Sequence, residues 1–255
     1  MLITLSPAKT LDLSPQRLTT VYTTPGRLSD SRELVERLRE FPVEELGSLM
    51  GISERLARLN YQRFVDWDTP FAPGAAKQAI LAFQGDVYQG LDAASLSAED
   101  LDYAQDHLRI LSGLYGVLRP LDLMLPYRLE MGTRLSNGRG KNLYEFWGDL
   151  ITDVLSVALE AQGDDLLVNL ASNEYFKAVR PKRLRGRILT PAFKEGKAGK
   201  YRVIGVFAKK ARGLMSRYII QNRLSEPEAL KRFDAEGYAF NPGLSSETEW
   251  AFTRG

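Results

Sequence analysis

Cationic side chains next to backbone turns are the groups in this sequence best suited to chemistry, and the chemistry they suit is the capture of phosphate. From Lys177 to Arg223 there are fifteen Lys or Arg residues and one acid, Glu195, a net of +14 in a chain of formal net charge +2. The other residues therefore sum to −12, and residues 84–106 hold six acids with no Lys or Arg. Charge separated in this way along a chain usually folds into a positive and a negative face. The competing expectation is that the basic side chains scatter over the surface and only solvate it.

Four constellations give the cations a setting. In Leu49–Leu59, the run Gly51-Ile52-Ser53 precedes a helical pattern with Ala57 four positions beyond Ser53. A tight turn before a helix exposes consecutive N–H groups at the positive end of the dipole, where a phosphate oxygen is a good ligand. Arg55 and Arg58 would flank it, positioning a duplex without reading bases. Ser53 stands where a second glycine would ease the turn, so an ordinary packing corner is the alternative. In Ala208–Ile220, Lys209, Lys210 and Arg212 fall near the start of a helix, and Arg217 lies further along it. Cations at the positive end of a helix dipole are unfavourable unless an anion is expected. In Leu111–Gly132, Arg119 and Arg128 sit in apolar sequence, either paired with Asp122 or Glu130 or aimed at a ligand. Lys9 follows the first strand, a common place for an anion contact.

Together Lys9, Arg119, Arg128, Lys177, Lys209 and Arg212, with Ser112, Asn169, Asn173 and Glu174, have the composition of an anion-binding cleft. Two functions follow. One is a DNA-binding module with little sequence preference, for which a long open groove is expected. The other is an enzyme acting on a nucleotide or nucleobase. It calls for a small closed pocket with Glu174 or Asp86 beside the cations.

Other chemistry is excluded or disfavoured. With no cysteine there is no disulfide, thiolate nucleophile or iron–sulfur ligand set. The one histidine, His107, has neither Glu-x-x-His nor His-Glu-x-x-His around it, and is read as structural. Gly113-x-x-Gly116 is not a Walker or Rossmann loop, so no cofactor is expected, nor a metal. No apolar run approaches the ~18 residues of a membrane span, and the N-terminus lacks a basic n-region. A cytoplasmic protein without membrane contact is expected.

The elements that must position these residues read as follows. Leu2–Leu5 is a strand. Helices are expected over Ser31–Glu40, from Pro42 to Leu49, from Ser53 to Phe64, from Ala75 to Phe83 behind Pro73-Gly74, and behind a capping box at Ser97. Leu108–Leu118 reads as a buried strand with close-packed glycines, and Asn142–Gln162 as the longest helix. Leu166–Ala171 is a strand, followed by a short helix capped by Ser172 or Asn173. Arg187–Lys194 and Tyr201–Phe207 form a hairpin, Ala208–Arg223 a helix, and Tyr238–Phe240 and Glu249–Thr253 closing strands. The irregular alternation predicts one α+β domain over residues 1–255, a mixed sheet wrapped by helices.

Six stretches in order along the chain resemble the YaaA family of bacterial peroxide-stress proteins: Ser6–Thr10, Phe83–Tyr88, Leu111–Met131, Tyr144–Asp149, Asn169–Lys177 and Lys209–Gly213. The resemblance implies a cytoplasmic protein that limits oxidative damage and is associated with lowered free iron. It also implies a compact α+β domain with a basic cleft and a helix-hairpin-helix, here about residues 43–64, able to bind double-stranded, single-stranded or junction DNA. Without cysteine, and with one histidine, peroxide protection would be indirect.

Overall fold

Five strands run parallel through the centre of one sheet, and their order creates the crevice that holds the candidate site. The computed structural model describes residues 1–71 and 74–255. The main sheet contains β1 (Leu2–Leu5), β5 (Leu108–Ser112), β6 (Gly116–Leu118), β8 (Leu166–Asn169), β9 (Arg187–Lys197), β10 (Lys200–Arg202), β11 (Ala239–Phe240) and β12 (Glu249–Arg254). Its order is β11-β12-β9-β8-β1-β5-β6, with β10 pairing β9. β12, β9, β8, β1 and β5 are mutually parallel, whereas β6, β10 and β11 pair antiparallel, so the sheet is mixed as expected. β1 and β8 are fully buried, in keeping with their unbroken apolar runs. Two short antiparallel pairs lie apart, β2 (Thr10–Leu11) with β4 (Phe83–Gln84) and β3 (Lys77–Gln78) with β7 (Leu123–Met124).

The helices are α1 (Leu28–Arg39), α2 (Val43–Met50), α3 (Glu54–Asp66), α4 (Ala79–Ala82), α5 (Asp86–Leu91), α6 (Ala98–His107), α7 (Leu143–Trp147), α8 (Leu150–Gln162), α9 (Asn173–Phe176) and α10 (Gly205–Gln221). One contiguous core runs from Met1 to Phe252.

Three expectations are corrected. The helix read over Ala75–Phe83 shrinks to the single turn of α4, and Pro73 lies outside the described residues. Lys77 and Gln78 pair with Met124 and Leu123, and the Ala79 and Ile80 N–H groups donate to Asp122 and Pro120. Tertiary pairing thus overrides local helix propensity. The helix read over Asn142–Gln162 is two helices, broken at Gly148 with φ +50; Asn142 caps the first by accepting the Glu145 N–H. Tyr201–Phe207 is strand only to Arg202, because α10 already begins at Gly205. Ser53 occupies the N-cap of α3, but its side chain makes no capping bond.

The segment entering the site from β6 is clipped by Asp122, which is 2% exposed. Its carboxylate accepts the Arg119 N–H (2.8 Å), the Arg119 guanidinium (3.2 Å) and the Thr23 hydroxyl (2.6 Å). Asp122→Ala leaves partly buried donors unmatched and is expected to cost about 2 kcal/mol, read as a lower denaturation midpoint at unchanged slope.

Candidate functional site

β1 and β8 are adjacent parallel strands whose outgoing connections run in opposite directions, β1 toward β5 and β8 toward β9. Open sheets leave a crevice beyond the carboxyl ends of such a pair. Here the crevice is a cavity of about 320 Å³ lined by Ser6–Thr10 after β1 and by Leu170, Ser172, Glu174 and Tyr175 after β8. It is closed by Gln84–Tyr88, by Tyr127–Glu130, and by Lys209 and Arg212 of α10.

Each wall is fixed by a local device. The Ser6 hydroxyl accepts the Ser172 N–H (2.8 Å) and lies 3.2 Å from the Ser172 hydroxyl, tying the two strand-end loops together. The Tyr88 hydroxyl donates to the Ser6 carbonyl (3.0 Å). Gly113 packs flat against the Leu129 carbonyl, where a Cβ would sit 2.2 Å from the oxygen, and Tyr127 and Ser112 share a hydrogen bond of 2.7 Å. Gly132 N–H donates to Glu174 Oε1 (2.9 Å), holding that carboxylate at the rim. α5 and α10 cross with backbone touching backbone. A Cβ at Gly90 would lie 2.1 Å from the Lys210 carbonyl oxygen, and one at Gly213 1.8 Å from that of Val87. This contact brings Asp86 and Tyr88 beside Lys209 and Arg212.

The electrostatics are mixed but uneven. Glu130 pairs with both Lys9 (2.8 Å) and Arg128 (3.0 Å). The buried Nε of Arg128 has no partner. Among the described residues, Lys209 and Arg212 have no carboxylate within salt-bridge distance. Burial pushes the Arg212 guanidinium below its usual range, and pushes the Tyr88, Tyr127 and Tyr175 hydroxyls up. The three tyrosines therefore remain neutral hydrogen-bonding groups. Asp86, Glu130 and Glu174 are the carboxylates that line the cavity.

Four of the cations expected in one cleft are thus together: Lys9, Arg128, Lys209 and Arg212. Others are elsewhere. Arg119 pairs with Asp122 and faces a different hollow. Lys177 lies outside the pocket, 5.1 Å from the Tyr144 ring centroid. Lys210 pairs with Glu236 (2.5 Å). Arg217 donates to the Leu91 and Asp92 carbonyls, a cation at the negative end of α5. Gly51 ends α2 with φ +61, and Ile52 and Ser53 lead into α3. Arg55 is exposed there, while Arg58 is held by Glu54 (2.5 Å); Glu44 and Glu54 line the adjoining concavity, which shares no residue with the pocket.

About half of the +14 segment's cations are paired with acids in space. Eight of its fifteen cations, Arg180, Arg183, Arg185, Arg187, Lys194, Lys210, Arg217 and Arg223, pair with acids. His107 stacks on Tyr103 at 3.9 Å and contacts the Met1 carbonyl through Nδ1 at 3.0 Å, a structural place. Among the described residues no three Asp, Glu or His side chains converge as a metal site. No described helix is long and apolar enough to cross a membrane.

Sequence reasoning missed Tyr88, Tyr127, Tyr175, Ser6 and Ser172 as pocket residues. They come from four separate segments, and a tyrosine bound for a pocket has no spacing that separates it from one bound for the core.

The fold is α+β, with a cavity at the topological switch point between β1 and β8. The chain matches the profile of the family described as peroxide stress protein YaaA over residues 1–244. It belongs to that family, as the six sequence stretches implied.

Proposed function

We propose that this peroxide-stress protein binds a nucleotide phosphate in the pocket between β1 and β8, presented either by a free nucleotide or by one unit of a DNA strand. The observation that supports it is the convergence of Lys9, Arg128, Lys209 and Arg212 on one cavity, with two of them unpaired and the Arg128 Nε unmatched. The volume is at the small end for ligand sites, suited to one nucleotide and not to a duplex. Stress protection would then come through nucleic acid or its precursors in the cytoplasm, and lowered free iron would be an indirect consequence.

The pocket is tested by titrating dAMP against deoxyadenosine. Removing the phosphate is expected to weaken binding at least tenfold; equal affinities refute the reading. Duplex, single-stranded and junction oligonucleotides across a salt series separate the two sources. A DNA strand gives an affinity falling steeply with salt, its slope reporting the phosphates contacted. Exposed Lys197, Lys200 and Arg202 on the β9–β10 hairpin favour that arm, since none has an acidic partner among the described residues.

Glu130 occupies, on Lys9 and Arg128, the position an incoming phosphate oxygen would take. Glu130→Gln is expected to tighten dAMP binding about tenfold by removing this internal competitor, ~1.4 kcal/mol. Unchanged or weaker binding would mean that Glu130 supports the ligand.

A catalytic reading is favoured by Asp86, Glu130 and Glu174, three carboxylates lining the same cavity. Chromatography of dAMP and oligonucleotides after prolonged incubation tests it. Product formation lost in Glu174→Gln would establish an enzyme.

A further inference from the structure

We propose that the hollow bounded by Arg27, Arg109 and Arg119 is a second binding site, separate from the nucleotide pocket, for a small organic monoanion with an apolar body and a carboxylate head. The hollow has a volume of about 520 Å³ and lies where α8 packs over the β5–β6 edge of the sheet. Its floor follows from strand register. Ile110 pairs with Leu118 and Leu111 with Val117, so Arg109 and Arg119 stand opposite each other one position beyond the ladder. Cross-strand partners project from the same face, and like charges directly opposite are unfavourable.

This conflict is not fully relieved within the chain. Arg119 turns Nε and Nη2 to Asp122. Arg109 donates through Nη1 alone, to the Gln105 and Leu108 carbonyls at 2.9 and 2.8 Å, and among the described residues it has no carboxylate partner. Burial, and then the Arg119 charge, push its guanidinium down to about 10. Arg27 is only loosely held, 3.9 Å from an Asp30 that is already paired with Arg139 at 2.7 Å. Three guanidiniums, one without an acid and one weakly tethered, therefore border the same space.

The remaining walls decide the ligand. Val117, Val154, Val157 and Ala158 supply an apolar surface, which inorganic phosphate would leave uncovered. Asp122 and Asp153 also line the hollow and disfavour a dianion. A planar carboxylate matches the guanidinium fork, and its hydrocarbon part would cover the valines.

The probe is 3-phenylpropionate, titrated calorimetrically into the full-length protein, with 3-phenylpropionamide as the neutral control. The expected result is saturable binding of the acid, weakened at least tenfold for the amide. Val157→Glu sits on an exposed helical position, so the protein should remain folded, verified by its thermal melt. It places a carboxylate in the hollow and is expected to weaken binding at least tenfold; Arg109→Leu should do the same. Absence of saturable binding, equal affinity for the amide, or indifference to Val157→Glu would overturn the proposal. So would loss of probe binding in Arg212→Met, which leaves the hollow intact.

Discussion

Gly213→Ala is expected to destabilise the protein by about 4 kcal/mol, a large loss for one methyl group. The added Cβ would lie 1.8 Å from the Val87 carbonyl oxygen and 2.7 Å from the Leu91 nitrogen, both backbone atoms that no rotamer change can move. α10 must therefore separate from α5, whose packing is the most extensive between any two helices of the fold. The same movement draws Lys209 and Arg212 away from Asp86 and Tyr88, so ligand binding should fall along with stability. Gly205→Ala is the internal control. It lies in the first turn of the same helix, has nothing within 4 Å of a built Cβ, and has no positive φ. There the substitution restricts only the unfolded chain, and a gain of about 0.5 kcal/mol is expected. Urea denaturation of the two variants should thus shift the midpoint in opposite directions. A Gly213→Ala protein as stable as the parent would mean that the α5–α10 crossing does not position the pocket.

Arg212→Met is expected to separate stability from binding. The guanidinium is largely buried, its charge is disfavoured by burial, and no acid compensates it among the described residues. An unpaired buried charge is a cost to the ligand-free fold. Replacing it by an unbranched apolar side chain of similar length should raise stability by about 1 kcal/mol. Binding of dAMP should fall, since a charge-assisted bond in a buried site contributes about 1.5–3 kcal/mol. Combined with Arg128→Ala, the loss is expected to reach about a hundredfold or more, if each cation contributes near the lower figure. Calorimetric titration together with thermal melts reads both effects. A variant that is less stable and binds unchanged would show Arg212 to be a packing residue.

The strands that build the site were legible because they are short apolar runs with clear ends. Leu2–Leu5 is a strand as read, the strand read over Leu166–Ala171 is present from Leu166 to Asn169, and the capping box at Ser97 is present. The close packing expected of Gly113 also holds, against the Leu129 carbonyl. Helices whose limits depend on distant partners were not legible. The Ala75–Phe83 pattern yields to pairing with residues 120–124, forty or more positions away, and no local signal marks that. Gly148 lies inside a continuous helical stripe, so its break depends on a backbone angle that the pattern does not encode.

The cations show a different limit. Counting along the chain placed fifteen of them in one segment but could not show that eight would meet acids, because those partners lie in α6, α8, the loops and the C-terminal strand. Arg119 and Arg128 looked alike in sequence, each with an acid two or three positions away. The fold sends one to the β5–β6 edge and the other to the β1/β8 crevice. The pocket depends on strand order, which puts β8 beside β1 across 160 residues, and on three tyrosines indistinguishable from core.

The most direct test of the nucleotide pocket is a two-dimensional amide NMR titration with dAMP, because it locates the ligand among all the candidate surfaces at once. Saturable shifts should centre on Ala8, Lys9, Gly85, Asp86, Glu174 and Arg212, and disappear in the Arg128→Ala, Arg212→Met double variant. Shifts centred on Gly51–Arg58 or on Lys197–Arg202, or no saturable shift at all, would contradict it.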